Sequence, residues 1–256
     1  MDAIVVDRLS YRYQAVGREI LKNISFKVAP GEIVALVGLS GCGKSTLCMC
    51  LGGIIPHYLG GMLDGQVLIN GKDTKEYRVA QLALEVGLVF QDPDTQLFAP
   101  TVEDEIAFAP ENLCLPVEEV ATRVDNVLDT LGITSLRKTN PNHLSGGQKH
   151  LVAMGAVLAL EPSILVLDEV IAQLDPAGKR IINEILVDLR RRGKTILIVE
   201  HDPEAVSIAD RMLVLEEGRL IKDGETATVL EWWESMLRHK YGCKSWTISG
   251  HAAGPE

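Results

Sequence analysis

Two short stretches hold residues whose types and spacing could bind phosphate. The first, Gly38-Leu39-Ser40-Gly41-Cys42-Gly43-Lys44-Ser45, fits G-x-x-x-x-G-K-[S/T] and follows five apolar residues, Ile33 to Val37. A buried strand feeding a glycine-rich turn that opens a helix points several backbone N–H groups into one concave spot. The helix dipole adds about half a positive charge there. Lys44 would supply a point charge for β/γ-phosphates, and the Ser45 hydroxyl a ligand for Mg²⁺. A chance glycine-rich turn is the plain alternative, but both flanks are of the phosphate-binding type. The second stretch is Leu144-Ser145-Gly146-Gly147-Gln148. Ser145 and Gln148 have capping-box spacing, so the modest reading is a helix start. Two glycines in a first turn lower helix propensity, which a cap does not require. They also strip away side chains, so that backbone N–H groups can approach an anion closely.

Carboxylates come next. Ile164-Leu165-Val166-Leu167-Asp168-Glu169 is an apolar strand ending in two acids, whose side chains alternation sends in different directions. After a phosphate loop, the first acid at such a strand end orients Mg²⁺ and the second can polarise an attacking water. Gln91 also follows an apolar strand, where active-site residues of open α/β sheets collect. Its neutral amide could hold Mg²⁺ or water. His201 follows the apolar run 195–199 and is either a satisfied loop histidine or a contact for the γ-phosphate. Tyr13, near the end of the first strand, either packs or stacks on a base.

Positioning these residues calls for a parallel sheet. Residues 4–13 and 19–28 alternate apolar and polar like half-buried antiparallel strands. Residues 57–65 read as turn-rich, 66–70 as a short strand closed by Asn70-Gly71, and 86–90 as an apolar strand. The pattern then turns helical at 102–108, 117–131 and 146–160, predicting a helical insertion over about 92–162. Strand-type runs return at 163–167 and 195–199, flanking a helix over 176–191. A hairpin at 211–216 and 220–223 turns at Glu217-Gly218. A last helix contains Trp232-Trp233, read as packing onto the body.

Composition narrows the function classes. The 256 residues, 46% hydrophobic and 23% charged, suit one large domain or a core with an insertion. A net charge of −10 with no basic face argues against a nucleic-acid backbone as partner. Cys42, Cys48, Cys50, Cys114 and Cys243 match no zinc spacing and suggest a reduced, cytosolic setting. The N-terminus does not resemble a signal peptide, and the longest apolar run, 151–160, is short of the roughly 20 residues of a membrane-spanning helix. Any membrane role is therefore expected from outside the bilayer.

Taken together, the motifs resemble the ATP-binding cassette (ABC) ATPases over the chain up to about residue 225. The resemblance implies an α/β P-loop NTPase fold with a parallel-sheet core, an antiparallel β subdomain and an inserted helical subdomain. It divides the chain into an ATPase domain at 1–225 and a C-terminal helix and tail at 226–256. It implies nucleotide contacts from Tyr13, through adenine stacking, and from Gly38, Ser40, Gly41, Cys42, Gly43, Lys44, Ser45 and Thr46. Ser45, Gln91 and Asp168 would hold Mg²⁺. Glu169 would be the catalytic base, assisted by Lys44, Gln91 and His201. The signature Ser145, Gly146, Gly147 and Gln148, with Asp175, would meet ATP on the opposite subunit of a head-to-tail dimer. The stretch from Val89 to Asn112 is similar to cassettes of energy-coupling factor importers for vitamins or transition metals, including the cobalt and nickel importers. It suggests a docking groove at Leu97 and Phe98 for a transmembrane coupling subunit, beside a membrane substrate-binding subunit. The expected location is the cytoplasmic side of the cell membrane.

The chain departs from that pattern twice. Val170-Ile171 follows Glu169 where Pro-Thr is usual, and Leu151 stands where the signature helix commonly has arginine. Other cassette classes, a soluble cassette protein and a small-acceptor kinase are the alternative readings. The kinase reading does not account for the signature motif.

Overall fold

A computed structural model of the chain describes residues 1–14, 16–200 and 206–241. In order, the elements are β1 (Ile4–Arg12), β2 (Leu21–Val28), β3 (Ile33–Val37), α1 (Lys44–Leu51), α2 (Ile54–His57), β4 (Met62–Ile69), β5 (Lys72–Asp73), α3 (Val79–Leu82) and β6 (Val86–Val89). There follow α4 (Val102–Asn112), α5 (Val117–Thr130), α6 (Gly146–Leu158), β7 (Ile164–Asp168), α7 (Pro176–Arg191), β8 (Thr195–Val199), β9 (Arg211–Glu216), β10 (Arg219–Glu225) and α8 (Thr226–Tyr241).

Uninterrupted apolar runs form the centre. Every residue of β3, β7 and β8 is buried, as expected of parallel strands covered on both faces. They lie in a six-stranded sheet of order β10-β9-β3-β8-β7-β6, parallel except for the antiparallel β10. Strand alternation splits the core in two. Ile33, Ala35, Val37, Leu165, Leu167, Ile196 and Ile198 face a cluster with α4 to α8. Val34, Leu36, Ile164, Val166, Leu197 and Val199 face a cluster with α1 and the antiparallel sheet β2-β1-β4-β5. The phosphate-loop helix is thus clamped between two sheets, and that clamp fixes its N-terminus.

The amphipathic helices seal the other face. α7 buries Ile182, Ile185, Leu186 and Leu189 at helical spacing. Truncating fully buried Leu186 to alanine costs about 2–5 kcal/mol. Trp233 in α8 is buried, while Trp232 lies under the Lys222 ammonium, 5.5 Å from its ring centre. Both tryptophans serve packing.

Several boundaries differ from expectation. The turn-rich reading of 57–65 is corrected, because β4 starts at Met62 and pairs with β1 through that stretch. Gly65 hid the strand: at φ +84 it faces a register shift in β1, and a Cβ there would sit 2.4 Å from the Arg8 carbonyl oxygen. α4 runs beyond Phe108 to Asn112, through Pro110, which gives up one helical N–H donor. α5 and α6 stop one and two residues short, at Thr130 and Leu158. β1 ends at Arg12, so Tyr13 lies just past it.

Candidate functional site

The phosphate loop spans the gap between β3 and α1. Gly38 can carry no side chain, because a Cβ would meet the Leu215 carbonyl oxygen at 2.2 Å. Gly43 adopts φ +111 at the helix N-cap, where no described side chain caps α1 and no acid stands in its first turn. The first N–H groups of α1 are therefore left for an outside acceptor. Lys44, 5% exposed, donates to the Gly38 carbonyl at 2.9 Å and pairs with Glu169 Oε1 at 3.1 Å. Burial holds the thiols of Cys42 and Cys48 above their ordinary range and pushes Cys50 up to about 12. These thiols pack rather than react.

Parallel pairing of β7 beside β8 and β3 brings the acids to the same end. Burial pushes the Asp168 carboxyl above the usual range and the Glu169 charge adds to this, against the Ser45 hydrogen bond and the Lys44 charge. Asp168 Oδ1 is buried with no described hydrogen-bond partner. An orphaned carboxylate oxygen next to a hydroxyl is a donor set that fits a hard divalent cation. Glu169, just past β7, has φ +53, and its N–H donates to the Val199 carbonyl at 2.8 Å. That left-handed backbone holds its carboxylate between two partners. Oε1 faces Lys44, and Oε2 accepts from Gln91 Nε2 at 3.1 Å.

Tyr13 also reaches this cleft. Its ring packs edge-on against Tyr11, centroids 4.9 Å apart, and its hydroxyl lies 3.2 Å from Thr46 Oγ1. Lys44, Ser45, Thr46, Gln91, Asp168, Glu169 and Tyr13 are thus linked around one phosphate loop.

The signature stretch forms a separate feature. Ser145 and Gln148 make a reciprocal capping box on α6. Ser145 and Gly146 are exposed, and among the described residues a Cβ at Gly146 would meet nothing within 4 Å. Asp175 caps α7, accepting from the Gly178 N–H at 2.8 Å. Among the described residues, no hydrogen bond or ion pair ties Ser145 or Asp175 to the phosphate loop. His201 lies outside the described residues.

An apolar groove of about 280 Å³ opens beside β6, with Leu97, Phe98, Phe108, Val157 and Leu160 in its walls. Phe98 is 65% exposed and stacks edge-on with Phe108 at 4.6 Å. Glu105 shapes the rim: 3% exposed, it accepts from the N–H groups of Phe98 and Ala99 at 2.8 and 2.7 Å.

Sequence reading missed three positioning side chains. Glu105 is one. Glu200 is fully buried and accepts from the N–H of Ile171 at 2.6 Å and of Ala172 at 3.2 Å, fixing the chain beyond Glu169. His150 is 3% exposed and bridges Gly146 and Gln91. An acid closing a parallel strand could have flagged Glu200; His150 had no signal, since its partner lies 59 positions away.

Comparison with known proteins gives the family. The model of the family described as ABC transporter matches residues 21–172. The energy-coupling factor transporter ATP-binding protein EcfA of Methanocaldococcus jannaschii is 44% identical over 90% of this chain and 81% of its own. A provisionally named ABC transporter ATP-binding protein of Methanosarcina mazei is 44% identical over 93% of this chain, but this chain spans only 41% of that protein's length. Among solved structures, CbiO1 of Clostridium perfringens, part of the ABC transporter complex CbiONQ, superposes with a TM-score of 0.81 at 36% identity, covering 94% of this chain and 96% of that one. The two sheets, the helices over β6 and β7 and the phosphate loop are the P-loop NTPase fold in its ABC ATPase form. This chain belongs to the ATP-binding cassette (ABC) transporter family and carries its ATPase domain.

Proposed function

We propose that this chain is the ATP-hydrolysing subunit of an energy-coupling factor type importer for vitamins or transition-metal ions. It acts at the cytoplasmic side of the cell membrane as a head-to-tail pair of cassettes, identical or not. The pair drives a transmembrane coupling subunit, and specificity resides in a separate membrane subunit. The observation that carries the transport reading is the exposed apolar groove at Leu97 and Phe98, an outlay of aromatic surface that the isolated chain does not cover. Among the described residues no helix is long and apolar enough to cross a membrane, so transport needs such a partner. The likeness to EcfA and CbiO1 supports the importer class.

In this reading Tyr13 stacks on adenine, and the N–H groups from Gly38 to Thr46 wrap the phosphates. Lys44 leaves Glu169 to hold the γ-phosphate. Ser45, Gln91 and Asp168 would hold Mg²⁺, which when bound offsets charge on the phosphate oxygens. Glu169, freed from Lys44, accepts the proton of the attacking water, while Gln91 and His201 orient water and γ-phosphate. A partner's Ser145, Gly146 and Gly147 cap the same phosphate, which explains a glycine at 146 that packing among the described residues does not demand. The helices at 92–162 form the inserted subdomain that carries this cap, and 226–256 an appended tail.

Copurification from gently solubilised native membranes tests the importer. The wild-type chain is expected to bring down a polytopic membrane protein and a small membrane subunit. Phe98→Asp is expected to lose both while the isolated chain still hydrolyses ATP. Recovery of soluble partners alone would remove the transport claim.

A further inference from the structure

A line of contacts runs from the phosphate loop to the signature helix within one chain. Lys44 Nζ lies 3.1 Å from Glu169 Oε1, and Glu169 Oε2 accepts from Gln91 Nε2 at 3.1 Å. The Gln91 carbonyl oxygen lies 3.1 Å from His150 Nε2, and His150 Nδ1 lies 2.9 Å from the Gly146 carbonyl oxygen. His150 is itself 3% exposed, so its ring is held largely away from water. One residue earlier, Lys149 pairs with Asp94 at 2.6 Å. Two consecutive side chains of α6 therefore grip the segment 91–94 at both ends. Leu151, where related cassettes commonly have arginine, packs against the core instead. The tie to the Gln91 segment is made by the two residues before it.

We propose that His150 is a positioning residue that couples occupancy of the phosphate loop to the start of α6 in the same chain. A γ-phosphate on Lys44 displaces Glu169, which releases the Gln91 amide. Gln91 moves with its backbone, and its carbonyl carries His150 and the first turn of α6. Each ring nitrogen faces a carbonyl oxygen, and the tie to Gln91 uses the Nε2–H. The ring acts through Gln91 and touches no reacting atom. The sparse alternative is a packed histidine whose hydrogen bonds serve only the helix.

The proposal rests on the nucleotide-binding reading of the site, and its test separates the two. Amide hydrogen exchange is followed on the full chain, with and without a non-hydrolysable ATP analogue, at concentrations where sedimentation finds monomers. In wild type the analogue is expected to change exchange in peptides covering both 38–46 and 144–151. In His150→Leu the change at 38–46 should persist and that at 144–151 should vanish. In His150→Gln, whose amide N–H can reach the Gln91 carbonyl, it should return. Turnover is expected to follow: about tenfold lower for His150→Leu, with ATP affinity within about twofold, and at least half recovered in His150→Gln. A response at 144–151 that survives in His150→Leu, or is absent from wild type while 38–46 responds, overturns the coupling. Failure of both variants to respond at 144–151 does the same, since it marks His150 as packing alone. No response at 38–46 in wild type overturns the nucleotide-binding reading itself, and the coupling with it.

Discussion

At the start of α1, Lys44 is 5% exposed and ion-paired inside its own chain, and the loop before it is wedged between two sheets. At the start of α6, Ser145 and Gly146 lie open to solvent, and beyond its own capping box the turn reaches the cleft through His150. Both are helix starts suited to an anion, yet among the described residues it is the first that has Lys44, Asp168 and Glu169 gathered around it. In the proposed reading, the first is the half of a site that holds the nucleotide and the second is the half that caps it. A glycine that neither φ nor packing requires marks a surface waiting for something outside the chain.

The largest effects should separate the two ends. Lys44→Ala is expected to lose both ATP binding and turnover. Ser145→Arg is expected to keep binding within about twofold while turnover falls at least about a hundredfold. Equilibrium binding and steady-state assays on both variants check this, and equal losses of binding would erase the distinction. Glu169→Gln should bind ATP and turn over about 10²–10⁴-fold more slowly, the usual span for a lost general base. Near-normal hydrolysis would sink that assignment.

Stability should shift less and in the opposite sense. Asp168 is held above the usual carboxylate range by burial. The folded chain therefore binds the proton more tightly than the unfolded one, and stability falls as pH rises from the ordinary carboxylate value through the raised one. Asp168→Asn removes that penalty. Without nucleotide or metal it should melt higher than wild type at neutral pH, with a flatter pH dependence, and gain less from ATP with Mg²⁺. A lower melting point at neutral pH would show that the buried carboxylate stabilises the empty site. Smallest of all, Gly146→Ala meets no clash and should stabilise the fold by about 0.4–1 kcal/mol while slowing turnover. Thermal melts with parallel rate measurements read both signs, and a variant that is stabilised at full speed would leave that glycine unexplained.

How far the sequence could be read follows the same divide. β3, β7 and β8 were legible because strands buried on both faces read as near-continuous apolar runs, and the phosphate loop because its glycines sit at fixed spacing. The first half of β4 was not, since a glycine that relieves a close approach to Arg8 looks like a turn. Within the site, residue types announced Lys44, Asp168 and Glu169, but the Lys44–Glu169 pair could not be foreseen from residues 125 positions apart. His150 stayed hidden for the same reason, its partner being set by how α6 docks on the segment after β6.

Mixing two inactive variants tests most directly whether two chains complete the site. A Lys44→Ala chain keeps a sound signature turn, and a Ser145→Arg chain keeps a sound phosphate loop. In a head-to-tail pair of the two, one site regains both halves. Each variant alone is expected to be silent and the equimolar mixture to recover roughly a quarter of wild-type ATP turnover, as random pairing gives. A mixture as silent as its parents would contradict completion by two chains.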